Sequence, residues 1–285
     1  MASTRWNLAV LLLPPLVTLT MLFVLPILFT AAYSFWSVDN DYQLVQQFTL
    51  NQYEAVLSEP LYRNTLLNSV VMAAATTVVC VVIGVPLAWA MARNFSPRMR
   101  ILLIVGLILP GWVSVLIRTY SMNLVIGESG LLNWLLLASG MIETPLRILF
   151  TKGAVVLGLV YIYLPYTLIP IFAAIERLDP AVLEAAENLG AGPVRRFRRI
   201  VLPLIMPGIV AGSIITFIPA LGEYLVPNLL GGLQGIMYGN LIVTAFQSYD
   251  WPLGSALSVV LLVGIGVTLF AFSRLTDLKR SLLAE

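Results

Sequence analysis

The chain has 285 residues, of which 59% are hydrophobic and 11% are charged, whereas about a quarter of the residues in soluble domains are charged. With a mean hydropathy of +0.93, this composition excludes a soluble globular domain and predicts an integral membrane protein. The net charge of +2 and the absence of histidine give no support to a nucleic-acid partner, a metal site or a histidine-based catalytic triad. The single cysteine, Cys80, lies in an apolar run, where we expect it to pack rather than react.

Six apolar stretches are each long enough to cross a bilayer, which takes about 20 residues. They predict spans at 8–33, 65–92, 101–124, 153–175, 200–222 and 253–275. Residues 1–285 are therefore expected to form a single all-α transmembrane domain. The first stretch exceeds the apolar core of a signal peptide, so we interpret it as an uncleaved span, although the small residues at 30–32 leave the cleaved alternative open.

Small residues on the fifth predicted span favour close contact between helices. They are Gly208, Ala211, Gly212 and Ser213. Ordinary packing explains these residues equally well. Prolines also fall inside most of the spans, where each removes a backbone hydrogen bond and predicts a kink.

The basic residues are unevenly distributed between the segments that connect the spans. Most of the 16 Lys and Arg residues fall in alternate segments, on the side that also holds the N-terminus. Because basic residues are enriched in cytoplasmic loops, we expect both termini and the segment 179–207 to be cytoplasmic.

The segments expected outside differ in character. Segment 125–152 contains an apolar patch at 131–137 that is too short to span, and we expect an interfacial or re-entrant helix there. Segment 223–252 is glycine-rich and carries acidic and aromatic residues that could line the outer mouth of a pathway. Arg118, deep in the third span, is expected to extend its side chain to the outer interface.

The polar segment 179–207 predicts a short helix–turn–helix. Asp179 can cap a helix that begins at Pro180 and ends near Leu189, and Gly190 is typical of the position that follows a helix end. A second helix would open at 193 and carry four arginines, as in a helix that lies at a lipid–water boundary. The carboxylates of the first helix could meet basic groups on another protein, but a solvated loop is the simpler alternative.

Within this segment, several residues stand at fixed spacing. They are Glu184, Ala185, Ala186, Gly190, Ile200, Leu202 and Pro203. This pattern resembles the EAA signature of the permease subunits of bacterial binding-protein-dependent ABC importers. The resemblance implies a six-helix type I permease fold in the inner membrane, with residues 179–199 as the coupling helix that docks into an ATPase subunit.

The same resemblance implies the other components of the transporter. They would be an ATPase dimer, a second homologous permease subunit and a periplasmic substrate-binding protein. ATP and magnesium would be bound by the ATPase, because this chain has no GxxxxGK[ST] loop. The chain itself is expected to bind no cofactor and to be no enzyme.

Further stretches resemble the spermidine/putrescine permeases in particular. They are 109–112, 116–120, 158–165, 218–223, 230–232 and 250–252. The resemblance implies import of putrescine, spermidine or related cationic amines by alternating access. An opine, an amino-acid-like amine or an organic anion stays the alternative substrate.

Four residues of segment 223–252 are candidates for the substrate pathway. Glu223 and Asp250 provide carboxylates, and Tyr224 and Trp251 provide aromatic faces, which together suit an extended cation. Glu223 could equally be an outer-loop residue that contacts the binding protein.

Two other functional classes have less support. An intramembrane enzyme would need a set of polar catalytic residues at depth, and no predicted span holds one. An ungated channel or scaffold would have no use for an EAA-type segment.

Overall fold

The computed structural model describes residues 2–39 and 43–282, with side chains described for 11–39 and 43–272. It is built almost entirely from helices. The helices are α1 (Ala2–Leu19), α2 (Leu25–Tyr33), α3 (Asn51–Ser58), α4 (Pro60–Asn94), α5 (Pro97–Ile108), α6 (Val115–Ile126), α7 (Leu131–Ala138), α8 (Lys152–Glu176), α9 (Pro180–Asn188), α10 (Pro193–Arg196), α11 (Leu202–Leu221), α12 (Tyr238–Gln247) and α13 (Trp251–Leu282). Strands β1 (Ser37–Val38) and β2 (Leu44–Val45) form a small antiparallel hairpin.

Irregular helical turns connect several of these elements. Three are π-helical, at Thr20–Val24, Phe197–Val201 and Pro227–Gly231, and one is a 3₁₀ turn at Leu109–Trp112. The first two sit inside otherwise continuous helices, so Leu11–Tyr33 and Pro193–Leu221 each run unbroken.

Within the described residues, five helices are long and apolar enough to cross a membrane. They are Leu11–Tyr33, Pro60–Asn94, Lys152–Glu176, Pro193–Leu221 and Trp251–Phe272. A sixth span results if the bent pair Pro97–Trp112 and Val115–Ala138 is counted as one.

The third predicted span, 101–124, is therefore not one straight helix. Its two halves meet at an angle of 98°. Pro110 has no backbone N–H to continue the helix, and Val113 and Ser114 adopt extended backbone angles.

The chain divides into two compact units. One contains the residues up to Arg63 together with Leu241–Ile265, and the other contains Asn64–Asn240 together with the residues from Gly266 onward. In the first unit, Phe35 stacks on Phe48 with 4.9 Å between the ring centroids. That the whole chain is one domain stays a prediction.

The second unit is organised around the packing of α8 against α11. A Cβ atom built on Gly208 would lie 2.6 Å from the Pro170 carbonyl oxygen, and one built on Gly212 would lie 2.7 Å from that of Thr167. The hydroxyls of Thr167 and Thr216 hydrogen-bond across the same interface. The prediction that small residues permit close contact is confirmed for these two glycines.

Two apolar clusters complete this unit. One surrounds Ala88, Ile171 and Ile205, and the other surrounds Leu159 and Leu230. Cys80 is fully buried, which agrees with the packing role expected for it.

Hydrogen bonds from one buried side-chain amide, that of Asn133, fix the conformation of segment 125–152. The side chain of Asn133 in α7 has no exposed surface. Its Nδ2 donates to the carbonyl oxygens of Gly127 (2.9 Å) and Leu146 (3.0 Å), and its Oδ1 accepts from the Leu146 N–H (2.7 Å). The short helix expected at 131–137 is thus present as α7, tied to the loops on both sides of it.

Candidate functional site

The segment 179–207 begins with the capped helix that the sequence predicts. The Oδ1 atom of Asp179 accepts a hydrogen bond from the N–H of Ala181 (2.9 Å), and Pro180 occupies the first helical position. Both features follow from neighbouring residues alone, and both predictions are confirmed.

Gly190 ends this helix in a left-handed conformation, with φ of +76°. Its N–H donates to the carbonyl oxygen of Glu187 (2.9 Å), and the N–H of Ala191 donates to that of Ala186 (3.0 Å). This pair of bonds is a Schellman motif, which favours glycine because the left-handed conformation is costly for a residue with a Cβ atom. The spacing from Ala186 to Gly190 therefore has a local structural cause.

One side of helix α9 packs against the apolar core, and the other side is exposed. Ala186 is buried and Leu183 packs against the apolar cluster around Ile171. Glu184 and Ala185 are exposed, and Leu189 exposes 88% of its surface at the helix end. The acidic side chain of Glu184 and the apolar side chain of Leu189 are thus exposed to solvent on a short helix whose opposite side packs against the core.

The second half of the segment differs from the prediction. A helix does begin at Pro193, but it continues through the π-helical turn into α11 rather than forming a separate helix at the lipid boundary. The side chain of Phe197 packs against the core, and Val201 is buried in it, which fixes this direction. Ile200, Leu202 and Pro203 consequently lie in the first turns of a span and are half-buried.

At the other end of α11, the carboxylate of Glu223 is held inside the second unit. Its Oε2 atom accepts from the Tyr163 hydroxyl (3.0 Å), and its Oε1 atom accepts from the N–H groups of Tyr224 (3.2 Å) and Leu225 (3.0 Å). The Tyr224 ring is 45% exposed. Glu223 is thus a half-buried acid that closes the turn after α11, and Tyr163 is its side-chain partner.

The position of Arg118 in the sequence predicted that its side chain extends to the outer interface, and the structure contradicts this prediction. Only 6% of the residue is exposed, and its Nε atom has no hydrogen-bond partner among the described residues. It lines a cavity of about 80 Å³ with Gly111 and Tyr166, and it lies within electrostatic range of the Tyr163 hydroxyl. The bend between α5 and α6 turns this part of the chain inward, so distance along a straight span was the wrong guide.

The remaining two pathway candidates lie in the other compact unit. The Oδ1 atom of Asp250 accepts from the Leu253 N–H (3.1 Å) at the start of α13, and Trp251 meets Phe246 edge-to-face with 5.5 Å between the ring centroids. The structure therefore places Glu223 beside Tyr224 and Asp250 beside Trp251, each pair in its own unit.

The sequence analysis missed Tyr163 as the side-chain partner of Glu223 and did not place Arg118 near Tyr163. The available signal was a polar side chain inside an apolar stretch, because such residues in spans face the protein interior and find partners there. No group of three or more His, Cys, Asp or Glu within the described residues could hold a metal ion.

Removing the Tyr163 hydroxyl is expected to destabilise the second unit without unfolding it. Tyr163→Phe leaves Glu223 with its two backbone donors but deletes the side-chain donor at 3.0 Å, at a cost of about 2 kcal/mol for a bond to a charged group. The melting temperature in detergent measures this loss. Tyr161→Phe on the exposed side of the same helix is the matched control, and an equal decrease in both variants would contradict the contact.

Comparison with known proteins decides the family. The model of the family described as "Binding-protein-dependent transport system inner membrane component" matches residues 1–279. The chain belongs to this family. It is therefore a multi-pass inner-membrane permease, and the membership predicted from the EAA-type spacing is confirmed.

Relatives support the finer resemblance. The permease is 41% identical over 255 residues to the spermidine/putrescine transport system permease protein PotB of Escherichia coli (strain K12), across 89% of this chain and 92% of that protein. It is 40% identical over 256 residues to PotB of Haemophilus influenzae, across 90% and 89%. It is also 32% identical over 283 residues to the inner membrane ABC transporter permease protein YdcU of Escherichia coli, across 94% and 90%.

Solved structures agree on the fold. The permease superposes with a TM-score of 0.75 on a chain of a bacterial alginate ABC transporter crystallised with an alginate pentasaccharide-bound periplasmic protein, covering 96% of this chain and 95% of that one. The identity is 16%, so this likeness concerns the fold alone. The type I permease fold predicted from the sequence is confirmed.

Proposed function

We propose that this permease is one membrane subunit of an ATP-driven importer of putrescine, spermidine or related cationic amines. The observation that carries the proposal is the 41% identity to PotB across 89% of the chain. Because that identity covers nearly the full length, it includes α9 and the turn that holds Glu223.

The energy for transport would enter at α9. An ATPase dimer would bind ATP and magnesium and would hold the exposed face that carries Glu184, Ala185 and Leu189. This face is suited to docking because the helix is anchored through Leu183 and Ala186, so a force applied to it reaches the α8–α11 core. Closure of the ATPase dimer would then switch the permease between outward-open and inward-open states.

The orientation and the remaining partners follow from the same proposal. The distribution of Lys and Arg supports cytoplasmic termini and a cytoplasmic α9. A periplasmic binding protein would deliver the substrate from the opposite side, and a second homologous permease subunit would complete the pathway. The chain itself would bind no cofactor.

In the second unit, the substrate would meet the carboxylate of Glu223 and the ring of Tyr224. The carboxylate of Asp250 and the ring of Trp251, which belong to the first unit, are the other two proposed pathway residues. Carboxylates attract each ammonium group of a polyamine, and aromatic faces stabilise cations in a partly dry setting. In the present state the Tyr163 hydroxyl occupies one oxygen of Glu223. A cation at Glu223 would therefore compete with that hydrogen bond.

The test is to identify the cargo with the complete transporter. The binding protein that serves this permease is mixed in turn with putrescine, spermidine, an amino acid and an organic anion, and its melting temperature is measured. The proposal predicts a rise with the polyamines, and uptake of labelled putrescine by cells that carry all subunits. An inactive ATPase variant should abolish that uptake. Stabilisation by the anion alone would overturn the cargo, and uptake that persists without ATPase activity would overturn the mechanism.

A further inference from the structure

The first turns of the long helix Pro193–Leu221 carry four arginines, of which one is neutralised. The Nη1 atom of Arg196 lies 2.7 Å from the Oε2 atom of Glu187. Arg195, Arg198 and Arg199 are exposed, and none of them forms an ion pair or side-chain hydrogen bond within the part of the chain that the structure describes. Three positive charges are thus available at one place.

These three arginines share a pocket. A cavity of about 580 Å³ is lined by Val194, Arg195, Arg198 and Arg199, which lie on one side of the helix because residues four apart are neighbours. No carboxylate belongs to the lining. Phe197 and Val201 turn instead toward the core, so the pocket lies on the outward side of the helix.

The position of the pocket along the helix determines its depth relative to the lipid bilayer. Residues 200–221 contain no charged residue and extend about 33 Å at about 1.5 Å per residue. This length fills the hydrocarbon core of a bilayer, which is about 30 Å thick. The arginines that immediately precede this run consequently lie at the depth of the lipid headgroups.

We propose that Arg195, Arg198 and Arg199 bind the phosphate of an anionic phospholipid. A planar guanidinium donates two parallel hydrogen bonds to phosphate oxygens, and three of them around one pocket provide a charge that matches an anionic headgroup. Further along the same helix, Leu204 and Ile215 are 50% and 45% exposed, which gives apolar surface for an acyl chain. The three arginines are different residues from those proposed to meet the cargo and from Glu184, Ala185 and Leu189 of the proposed ATPase contact.

The test counts phosphatidylglycerol molecules retained by the purified full-length permease in native mass spectrometry. Retention is compared between wild type, the triple variant R195Q/R198Q/R199Q and the control triple R63Q/R98Q/R177Q. The control removes the same charge from exposed arginines that have no ion pair in the described structure. We expect the affinity to fall roughly fivefold for each pocket arginine removed and to change far less in the control.

A charge-preserving variant covers the case in which the glutamine triple does not fold. R195K/R198K/R199K keeps the charge but loses the planar fork, and we expect it to retain phosphatidylglycerol several-fold less well than wild type. Equal losses in the pocket and control triples would overturn the proposal, as would displacement of the lipid by inorganic phosphate. Loss of ATPase co-purification with unchanged lipid retention would assign the pocket to a protein partner instead.

Discussion

Replacing Gly208 with alanine is expected to destabilise the permease by about 3 kcal/mol, because the added methyl group has no room at the α8–α11 interface. Its Cβ atom would lie 2.6 Å from both the Pro170 carbonyl oxygen and the Ala174 Cβ atom. The first of these atoms belongs to the backbone, so the clash can be relieved only by moving one helix away from the other. That movement would also stretch the hydrogen bond between Thr167 and Thr216.

The matched control for this substitution has the opposite expected sign. Gly106 lies in helix α5, and a Cβ atom built on it meets nothing within 4 Å. Gly106→Ala is therefore expected to raise stability by up to about 1 kcal/mol, since alanine is the better helix former. The melting temperatures of the two variants in detergent measure both effects. A Gly208→Ala protein as stable as Gly106→Ala would show that the two helices do not pack this closely.

Features that depend on neighbouring residues were predictable from the sequence. The cap at Asp179 and the helix end at Gly190 are formed by hydrogen bonds between residues at most five apart. The length of an apolar run is likewise a property of one stretch, so most of the spans emerge from composition alone. The spacing from Glu184 to Pro203 indicated the family for the same reason.

Contacts between distant residues were not predictable in this way. Tyr163 and Glu223 are 60 positions apart, and Asn133 bonds to Leu146 across a loop. A sequence without aligned relatives contains no signal for such pairs. Arg118 was placed wrongly because depth was measured along a straight helix, whereas the chain bends by 98° just before it. Pro110 and Gly111 indicated a break there but not its angle.

The proposed ATPase contact and the proposed substrate contact at Glu223 lie toward opposite ends of the helix that contains α11. The helix Pro193–Leu221, which ends with α11, begins just after the turn at Gly190 that closes α9, and its last turn leads into the bonded carboxylate of Glu223. One continuous helix of 29 residues thus joins the proposed ATPase contact to the proposed substrate contact. Because helices of this length are stiff, a displacement of α9 that is transmitted through the turn at Gly190 would reach Glu223 along this helix.

That route begins at the end of α9, so Gly190→Val is expected to weaken the association of the permease with the proposed ATPase by roughly tenfold to a hundredfold. At Gly190, with φ of +76°, a β-branched residue costs about 1–3 kcal/mol, and every 1.4 kcal/mol corresponds to about tenfold in affinity. The strain would open the two Schellman bonds at Glu187 and Ala186 and displace the exposed face of α9.

Gly192→Val is the matched control, because its φ is −62° and its added Cβ atom also meets nothing within 4 Å. Co-purification of the ATPase with each variant, at equal permease yield, measures the difference. If both variants retain the ATPase equally, the left-handed end of α9 does not shape the docking face.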